Sequence, residues 1–129
     1  MLSLFQDTFS NKKVLITGHS GFKGKWLCRV LKNLNSKVFG FSIDPVSLRD
    51  FGLTSSSQIL DNEYLGDIAK FDLEKLIHEI NPDFIFHFAA QALVRKSIQQ
   101  PINTIKTNSL GTCYLLDALK NYGFSCNVV

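Results

Sequence analysis

VLITGHSGFKGKWL, residues 14–27, begins with three aliphatic residues and a threonine, passes through three glycines and continues in a helical pattern. Glycines placed between a strand and a helix let the backbone approach a pyrophosphate, and the helix N-terminus supplies N–H donors and a positive dipole end. The G-x-x-G-x-x-G spacing therefore predicts a dinucleotide-binding turn, with a glycine-rich turn that holds no ligand as the alternative. The predicted cofactor contacts in the turn are Gly18, His19, Ser20, Gly21, Phe22, Lys23 and Gly24.

A P-loop is the rival phosphate-binding motif, and its spacing does not match. It requires G-x-x-x-x-G-K-[ST], with a hydroxyl for magnesium after the lysine. Here Lys25 is followed by Trp26, and the residue five positions before Gly24 is His19. We therefore exclude a P-loop nucleotide site.

The composition is that of one globular domain. Of 129 residues, 45% are hydrophobic and 19% charged, which is enough apolar material for one core. The net charge of +3 is spread along the chain without a basic block, so nucleic acid is not an expected partner. No apolar run approaches the roughly 20 residues of a membrane span, and the N-terminus does not resemble a signal peptide. We expect a cytoplasmic protein with no membrane partner.

The cysteines and histidines do not indicate a metal site or a disulfide framework. Cys28, Cys113 and Cys126 form no CxxC pair, and we expect them to be reduced and mostly buried. The three histidines have no Cys or Glu at ligand spacing, so no metal is predicted.

Strand and helix patterns alternate along the chain, which predicts a Rossmann-type, doubly wound parallel α/β sheet. The predicted strands are 14–17, 38–43, 64–65 and 84–88, and the predicted helices are 22–35, 72–81 and 102–122. Residues 46–61 are expected to form a surface loop with at most a short helix. Residues 126–129 are typical of the start of a fifth strand. We interpret residues 1–129 as the partial dinucleotide-binding domain of a longer protein.

Two of the helices have apolar faces that predict their packing. The apolar positions of helix 22–35 are expected to face the sheet, and they are Trp26, Leu27, Val30, Leu31 and Leu34. Helix 102–122 is apolar around most of its circumference. One face can pack on the sheet while another pairs with a second copy, which predicts a homodimer.

Asp44 ends the second predicted strand, twenty residues after Gly24. A carboxylate there can accept hydrogen bonds from the adenosine ribose and repel a 2′-phosphate, which predicts NAD rather than NADP. A turn or capping aspartate before Pro45 is the alternative. Arg49, nearby in the sequence, could instead accommodate a 2′-phosphate.

Polar and small residues follow the third and fourth predicted strands. Asp67 is expected to meet the adenine edge with Ile68 beside it, although Asp67 could equally cap the next helix. Small residues after the fourth strand let the ribose and nicotinamide approach the sheet, and the predicted contacts there are Phe88, Ala89, Ala90 and Gln91.

The histidines have less specific expected roles. His87 lies within an apolar strand, where a hydrogen-bonded core histidine is expected rather than a catalytic one. His19 could donate to the pyrophosphate or be solvated, and His78 is expected on a helix surface.

These motifs resemble those of the extended short-chain dehydrogenase/reductase family of nucleotide-sugar enzymes. T-G-x-x-G-F-x-G is residues 17–24, H-x-A-A-Q is residues 87–91 and T-N-x-x-G-T is residues 107–112. Within that family, G-H-S-G-F-K-G-x-W-L with A-A-Q-x-L-V-R-K-S is most similar to the 4,6-dehydratases that act on CDP-glucose. The resemblance covers essentially the whole chain.

The resemblance implies a lyase with an internal redox cycle. Bound NAD takes hydride from C4 of the hexose, water leaves across C5 and C6, and the hydride returns to C6 to give CDP-4-keto-6-deoxyglucose. It also implies that Asn108 points from the long helix toward the active site, and that Arg95 and Ser97 lie near the nicotinamide or the substrate. A 4-epimerase or reductase of the same family, or a non-catalytic dinucleotide sensor, are the alternatives.

The catalytic residues that the resemblance requires are a Ser or Thr after the fifth strand and a Tyr-x-x-x-Lys pair. Tyr114 and Tyr122 are followed four residues later by Ala118 and Cys126 rather than lysine. A tyrosine with an unperturbed pKa of about 10 is seldom ionised at neutral pH, so it needs the lysine to act as a base. We therefore predict a cofactor site without catalytic residues, inactive by itself.

Overall fold

The computed structural model of the chain describes residues 2–123 and 126–129. The helices are α1 (Leu2–Phe9), α2 (Phe22–Asn33), α3 (Leu73–Ile80), α4 (Val94–Gln99), α5 (Pro101–Ile105) and α6 (Gly111–Tyr122). The strands are β1 (Lys13–Thr17), β2 (Lys37–Ser42), β3 (Asn62–Leu65), β4 (Phe84–His87) and β5 (Asn127–Val128). Short 3₁₀ turns lie at Arg49–Phe51 and Ser56–Gln58, and a π turn spans Lys106–Leu110.

The strands form one parallel sheet in the order β3-β2-β1-β4-β5. β1 is central, and the order reverses between β1 and β4, where a crevice opens at the carboxyl ends of the strands. This confirms the predicted fold class, including the start of a fifth strand beside β4. The 46–61 segment is also a loop with only two short turns, as expected.

Alternate residues of β1 enter two cores on opposite faces of the sheet. Leu15 packs with residues of α3 and α6, whereas Val14 and Ile16 pack with residues of α2. All three side chains are fully buried. A strand covered by helices on both faces reads as a continuous apolar run, and β1 has that pattern.

The prediction for the sheet-facing side of α2 is confirmed for Leu27, Leu31 and Leu34 and is wrong for Trp26 and Val30. Gly24, Cys28 and Leu31 are its buried residues, while Trp26 and Val30 are 48% and 49% exposed. Trp26 instead meets Phe51 of the following loop edge to face, with ring centroids 4.8 Å apart. Because Gly24 packs closely against the glycine turn, the side of α2 that carries Gly24 and Cys28 faces the sheet and the Trp26 indole lies outside.

The predicted helix 102–122 is helical throughout and contains a π segment in its middle. α5 ends at Ile105, the π turn follows, and α6 begins at Gly111. A further helix, α4, precedes them where no element was predicted. Pro101 occupies the first turn of α5, where its missing N–H costs no hydrogen bond, and it separates α5 from α4.

The N-terminal helix α1 was also not predicted. Its last residue, Phe9, packs against Phe84 of β4 with ring centroids 5.0 Å apart. The Phe9 carbonyl accepts a hydrogen bond from the Ser36 hydroxyl at 2.9 Å. Tertiary contacts therefore hold a short helix whose sequence carries little signal of its own.

The cysteines are less buried than expected. Cys28 is buried, and burial raises the pKa of its thiol to about 12. Cys126 is partly buried. Cys113 is exposed on α6, so the prediction that it is buried is wrong.

Within residues 2–123 and 126–129, no group of three His, Cys, Asp or Glu side chains could hold a metal ion. In the same residues, no helix has the length and hydropathy of a transmembrane segment.

Candidate cofactor site

A cleft of about 830 Å³ lies at the carboxyl ends of the parallel strands. Its volume is in the range of small-molecule and cofactor sites. Ten of the predicted contacts line it, namely Gly18, Ser20, Gly21, Asp44, Asp67, Ile68, Phe88, Ala89, Ala90 and Gln91. A smaller cavity of about 240 Å³ lies between α3 and α6 and contains none of the predicted site residues.

The glycine turn is packed so closely that side chains would not fit. Gly18 has φ +72°, and a Cβ there would lie 2.6 Å from the Phe88 carbonyl carbon. A Cβ on Gly24 would lie 2.3 Å from the Gly18 carbonyl oxygen. Gly24 therefore brings α2 against the turn and does not line the cleft, and its predicted contact with the cofactor stays a prediction.

The N-terminus of α2 has donors available for an anion. Gly21 is the N-cap residue and no side chain caps the helix. The N–H groups of the first turn are consequently not occupied by a capping oxygen, as an anion-binding helix terminus requires. The glycine turn thus has the backbone geometry expected of a phosphate site.

His19 does not face the cleft. Its side chain is fully buried, and Nε2 lies 2.6 Å from Oε1 of Glu63 on β3. The prediction that this imidazole donates to the pyrophosphate or is solvated is therefore wrong. Glycine at position 40 makes room for the ring, because a Cβ there would lie 2.5 Å from His19 Cγ.

Phe22 and Lys23 also lie outside the cleft lining. Phe22 is 76% exposed, and the Lys25 ammonium lies 5.9 Å from its ring centroid. Lys23 is exposed on the first turn of α2. Of the side chains between the glycines, Ser20 lines the cleft, whereas those of His19, Phe22 and Lys23 do not.

Asp44 is exposed and lines the cleft just beyond β2. It caps no helix, since the next turn begins after Leu48. Arg49 does not line the cleft, and its neighbour Asp50 pairs with Lys25 of α2. Of the two residues weighed for ribose recognition, the fold therefore brings Asp44 to the site and leaves Arg49 outside.

Asp67 lies at the cleft and does not cap the next helix, whose N-cap residue is Asp72. Asp67 lines the cleft with Ile68, and its Oδ1 accepts a hydrogen bond from the Ala69 N–H at 3.0 Å. Lys70 lies 3.7 Å from the other carboxylate oxygen. The carboxylate thus shapes its own turn while lying at the edge of the cleft. Ile68 is buried, with Gly111 of α6 directly against it.

His87 is a hydrogen-bonded core histidine, as expected. Nδ1 lies 2.7 Å from the Thr17 hydroxyl and Nε2 lies 2.9 Å from the Thr112 hydroxyl. The Thr112 hydroxyl donates to the Asn108 carbonyl, so it accepts from Nε2–H, and Thr17 then donates to Nδ1. Burial lowers the pKa of His87, in agreement with this neutral tautomer.

Asn108 holds the backbone of the segment after β4. Its Oδ1 accepts from the Gln91 N–H at 2.7 Å, and its Nδ2 donates to the Gln91 carbonyl at 3.0 Å. Asn108 is not itself part of the cleft lining, but it bonds the backbone of Gln91, which is; a contact of Asn108 with the cofactor stays a prediction. It is placed by the π turn, and it fixes the segment after β4 that carries Ala90 and Gln91.

The sequence interpretation did not predict α4, and it did not predict that residues of α5, the π turn and the start of α6 line the cleft. The residues that line the cleft in and around these elements include Leu93, Lys96, Gln100, Asn103, Thr104, Lys106, Thr107, Leu110 and Tyr114. Ser42, beside Ser20 at an Oγ–Oγ distance of 2.6 Å, was missed as well. Arg95 and Ser97 do not line the cleft, and the Ser97 hydroxyl donates to the Val94 carbonyl within α4. The spacing of Val94 and Ile98 is the helical signal that could have revealed α4.

Comparison with known proteins agrees with this geometry. The family described as GDP-mannose 4,6 dehydratase matches residues 15–129. CDP-glucose 4,6-dehydratase of Salmonella typhimurium is 38% identical over 120 residues, which are 92% of this chain and 33% of that protein. CDP-paratose 2-epimerase of Salmonella typhi is 34% identical over 126 residues, 91% of this chain and 35% of that protein.

A solved structure supplies the same fold with a cofactor. UDP-glucose 4-epimerase from Brucella ovis, determined in complex with NAD, is 26% identical, with a TM-score of 0.71 over 92% of this chain and 34% of that one. The chain thus spans about a third of the length of the relatives it matches. The resemblance inferred from the motifs is confirmed. With its parallel sheet, its glycine turn and a match that begins in β1 and runs to residue 129, this chain belongs to the GDP-mannose 4,6 dehydratase family.

Proposed function

We propose that this chain is the NAD-binding part of a nucleotide-sugar 4,6-dehydratase whose substrate is CDP-glucose. The observation that carries the proposal is the glycine turn at the floor of an 830 Å³ cleft, with the Asp44 carboxylate on its rim. The two relatives named above act on CDP-sugars by their names, which favours cytidine over other nucleotides. The NAD of the Brucella ovis epimerase favours that cofactor.

The chain's own residues divide the binding of the dinucleotide between them. The uncapped N–H groups in the first turn of α2 would hold the pyrophosphate, because the N–H groups of Gly18 and Gly21 already donate to the carbonyls of Phe41 and Gly18. Asp44 would accept hydrogen bonds from the adenosine ribose, and Asp67 with Ile68 would border the adenine. The segment Phe88–Gln91 would border the nicotinamide half.

The bound cofactor supplies hydride acceptance and return, and the protein supplies its placement. Residues after β4 are held for that purpose by Asn108, which bonds both the N–H and the carbonyl of Gln91. His87 joins β1, β4 and α6 through Thr17 and Thr112. These contacts make a fixed floor for the cleft rather than a proton-transfer path.

Cofactor binding is tested by titrating the purified chain with NAD in a calorimeter. Saturable binding with one NAD per chain is expected. Competition by CDP-glucose for the NAD cleft is not expected, because the glycine turn and Asp44 are assigned to the dinucleotide. Absence of NAD binding by the folded chain would overturn the proposal.

The 129-residue chain by itself is predicted not to convert CDP-glucose, because it contains no Tyr-x-x-x-Lys pair. The 4-keto product absorbs in alkali, so incubation with NAD and CDP-glucose followed by alkaline spectroscopy measures any turnover. A related dehydratase that contains the tyrosine and lysine is the positive control. Product formation by the chain alone would contradict this prediction.

The gene sequence beyond codon 129 tests the assignment to an enzyme. A serine or threonine followed by Tyr-x-x-x-Lys would support a dehydratase, and a stop codon there would favour a dinucleotide-binding protein without catalysis.

A 2- or 4-epimerase is the second candidate, favoured by the CDP-paratose 2-epimerase relative and by the Brucella ovis structure. An enzyme that returns the hydride without loss of water would support that candidate instead.

We propose in addition that α6 pairs with a second copy of the chain. Leu116 is 47% exposed on it, and Cys113, one turn earlier on the same side of the helix, is also exposed, while Leu115, Ala118 and Leu119 are buried. An apolar face left open on a helix that is already packed on its other side is typical of an interface.

A further inference from the structure

The buried pair of His19 and Glu63 has no place in the site described above, although both residues touch elements that border the cleft. Glu63 lies on β3 directly opposite Gly40 of β2. Paired residues of neighbouring strands project to the same face of a sheet, so the Glu63 side chain extends over the glycine. There it meets the imidazole that fills the space above Gly40.

One carboxylate oxygen receives two donors from different elements. Glu63 Oε1 accepts from His19 Nε2 at 2.6 Å and from the Val46 N–H at 2.8 Å. His19 is fully buried and the Glu63 side chain is 22% exposed. Because a carboxylate only accepts, Nε2 must carry a proton, and a charge-assisted hydrogen bond of this kind is stronger than a neutral one.

The two donors belong to two neighbouring segments that both border the cleft. His19 stands between Gly18 and Ser20 of the glycine turn, and both of these line the cleft. Val46 is buried two residues after Asp44, which lines the cleft at the end of β2. The Glu63 carboxylate therefore ties the turn assigned to the pyrophosphate to the segment assigned to the adenosine ribose.

We propose that Glu63 and His19 are positioning residues that set the distance between the glycine turn and Asp44. This proposal rests on the proposed binding of a dinucleotide, because only a ligand that touches both places gains from a fixed spacing. Holding the two places in their bound arrangement removes part of the ordering cost of binding. Neither side chain touches the ligand itself.

Variants of Glu63 distinguish the effect of side-chain length on NAD affinity from the effect of the negative charge. Glu63→Gln keeps an oxygen at the same place for both donors, so NAD affinity should stay within about threefold of the wild type. Glu63→Asp keeps the charge but is one methylene shorter, and it cannot meet both donors. We expect about a tenfold loss of NAD affinity for Glu63→Asp and for Glu63→Ala, measured by calorimetry.

Asp61 offers a matched control at the other end of β2. Its Oδ2 accepts from the Val38 N–H at 2.7 Å and from Lys32 Nζ at 2.9 Å, far from the cleft lining. Asp61→Ala therefore removes a similar carboxylate bridge and should change NAD affinity by less than about twofold. Equal losses in Glu63→Ala and Asp61→Ala would overturn the proposal. So would wild-type affinity in Glu63→Asp combined with a loss in Glu63→Gln, because charge and not reach would then matter.

Hydrogen exchange of backbone amides in the absence of NAD tests the link that Glu63 makes between His19 and Val46, independently of the proposed function. The Val46 amide should exchange about tenfold faster in Glu63→Asp and Glu63→Ala than in the wild type, and at the wild-type rate in Glu63→Gln. Unchanged exchange in all three variants would overturn the proposal even if NAD binds. If Val46 exchange changes as expected in the Glu63 variants but the wild-type chain does not bind NAD, the proposed function is overturned. The link that Glu63 makes between His19 and Val46 would then still be established.

Discussion

At the scale of single residues, we propose that Asp44 sets the preference for NAD over NADP. Its carboxylate is exposed at the cleft, so a 2′-phosphate would come close to a like charge, whereas ribose hydroxyls can donate to it. Two unit charges about 4 Å apart interact by about 4 kcal/mol at an effective dielectric of 20, and solvent reduces this. We expect NAD to bind about 10- to 100-fold more tightly than NADP.

Asp44→Ala should weaken NAD binding and narrow the gap to NADP, because it removes both the acceptor and the repulsion. Titration of both cofactors against both proteins by calorimetry measures the change. Asp50→Ala is the control, since it removes the same charge from the same loop outside the cleft lining. Equal affinities of the wild type for NAD and NADP would remove Asp44 from the cofactor site.

His87 should make stability depend on pH. Burial lowers its pKa from the usual value of 6.5, so below that pH the unfolded chain binds a proton that the folded chain does not. Stability should therefore fall as pH decreases from 6.5 toward the lowered pKa, and be unaffected by this group above 6.5. His87→Gln should show a smaller fall between pH 7.5 and 5.5 in urea unfolding.

The control for His87→Gln is the same substitution at His78, which is exposed on α3. His78→Gln removes the same side chain type without disturbing the Thr17 and Thr112 hydroxyls. A fall in stability that is as steep in His87→Gln as in the wild type would show that another group causes it.

At the scale of elements, the exposed face of α6 is the expected contact between copies. Leu116→Glu should shift the chain toward the monomer, because a charge would be buried in the interface without a partner. Val30→Glu on α2 is the matched control, since Val30 is 49% exposed and Leu116 is 47% exposed. Light scattering measures the mass of both variants, and a wild type that is monomeric at all concentrations would contradict the interface.

Helix α3 and the π turn before α6 show which element boundaries can be predicted from the sequence. Asp72 accepts from the Lys75 N–H and Asn81 ends α3 in a left-handed conformation, so the boundaries of α3 followed from local capping residues. The π turn before α6 has no such local signal. Within it, Asn108 bonds the backbone of Gln91, which is 17 residues away in the sequence.

At the scale of the whole molecule, the sheet separates two cores, and both should be sensitive to the central strand. Leu15→Ala should destabilise the fold by about 2–5 kcal/mol, because it leaves a cavity at a fully buried position between β1 and the α3–α6 layer. Leu65→Ala, at a residue 50% exposed on the edge strand β3, should cost much less. Urea unfolding at pH 7.5 measures both, and similar losses would contradict the two-core arrangement.

The sequence by itself determined the order of the strands along the chain, the glycine turn and the residues at the carboxyl ends of the strands. Hydrophobic periodicity and glycine spacing are local properties, and Gly18, Asp44 and Asp67 needed no distant partner to be recognised. Only the tertiary structure decided that His19 turns inward to Glu63, that Asn108 holds Gln91 and that α4 and α5 wall the cleft. Each of these depends on groups distant in sequence that meet only in the folded chain: Glu63 lies 44 residues from His19, and the room for the imidazole comes from Gly40 on another strand.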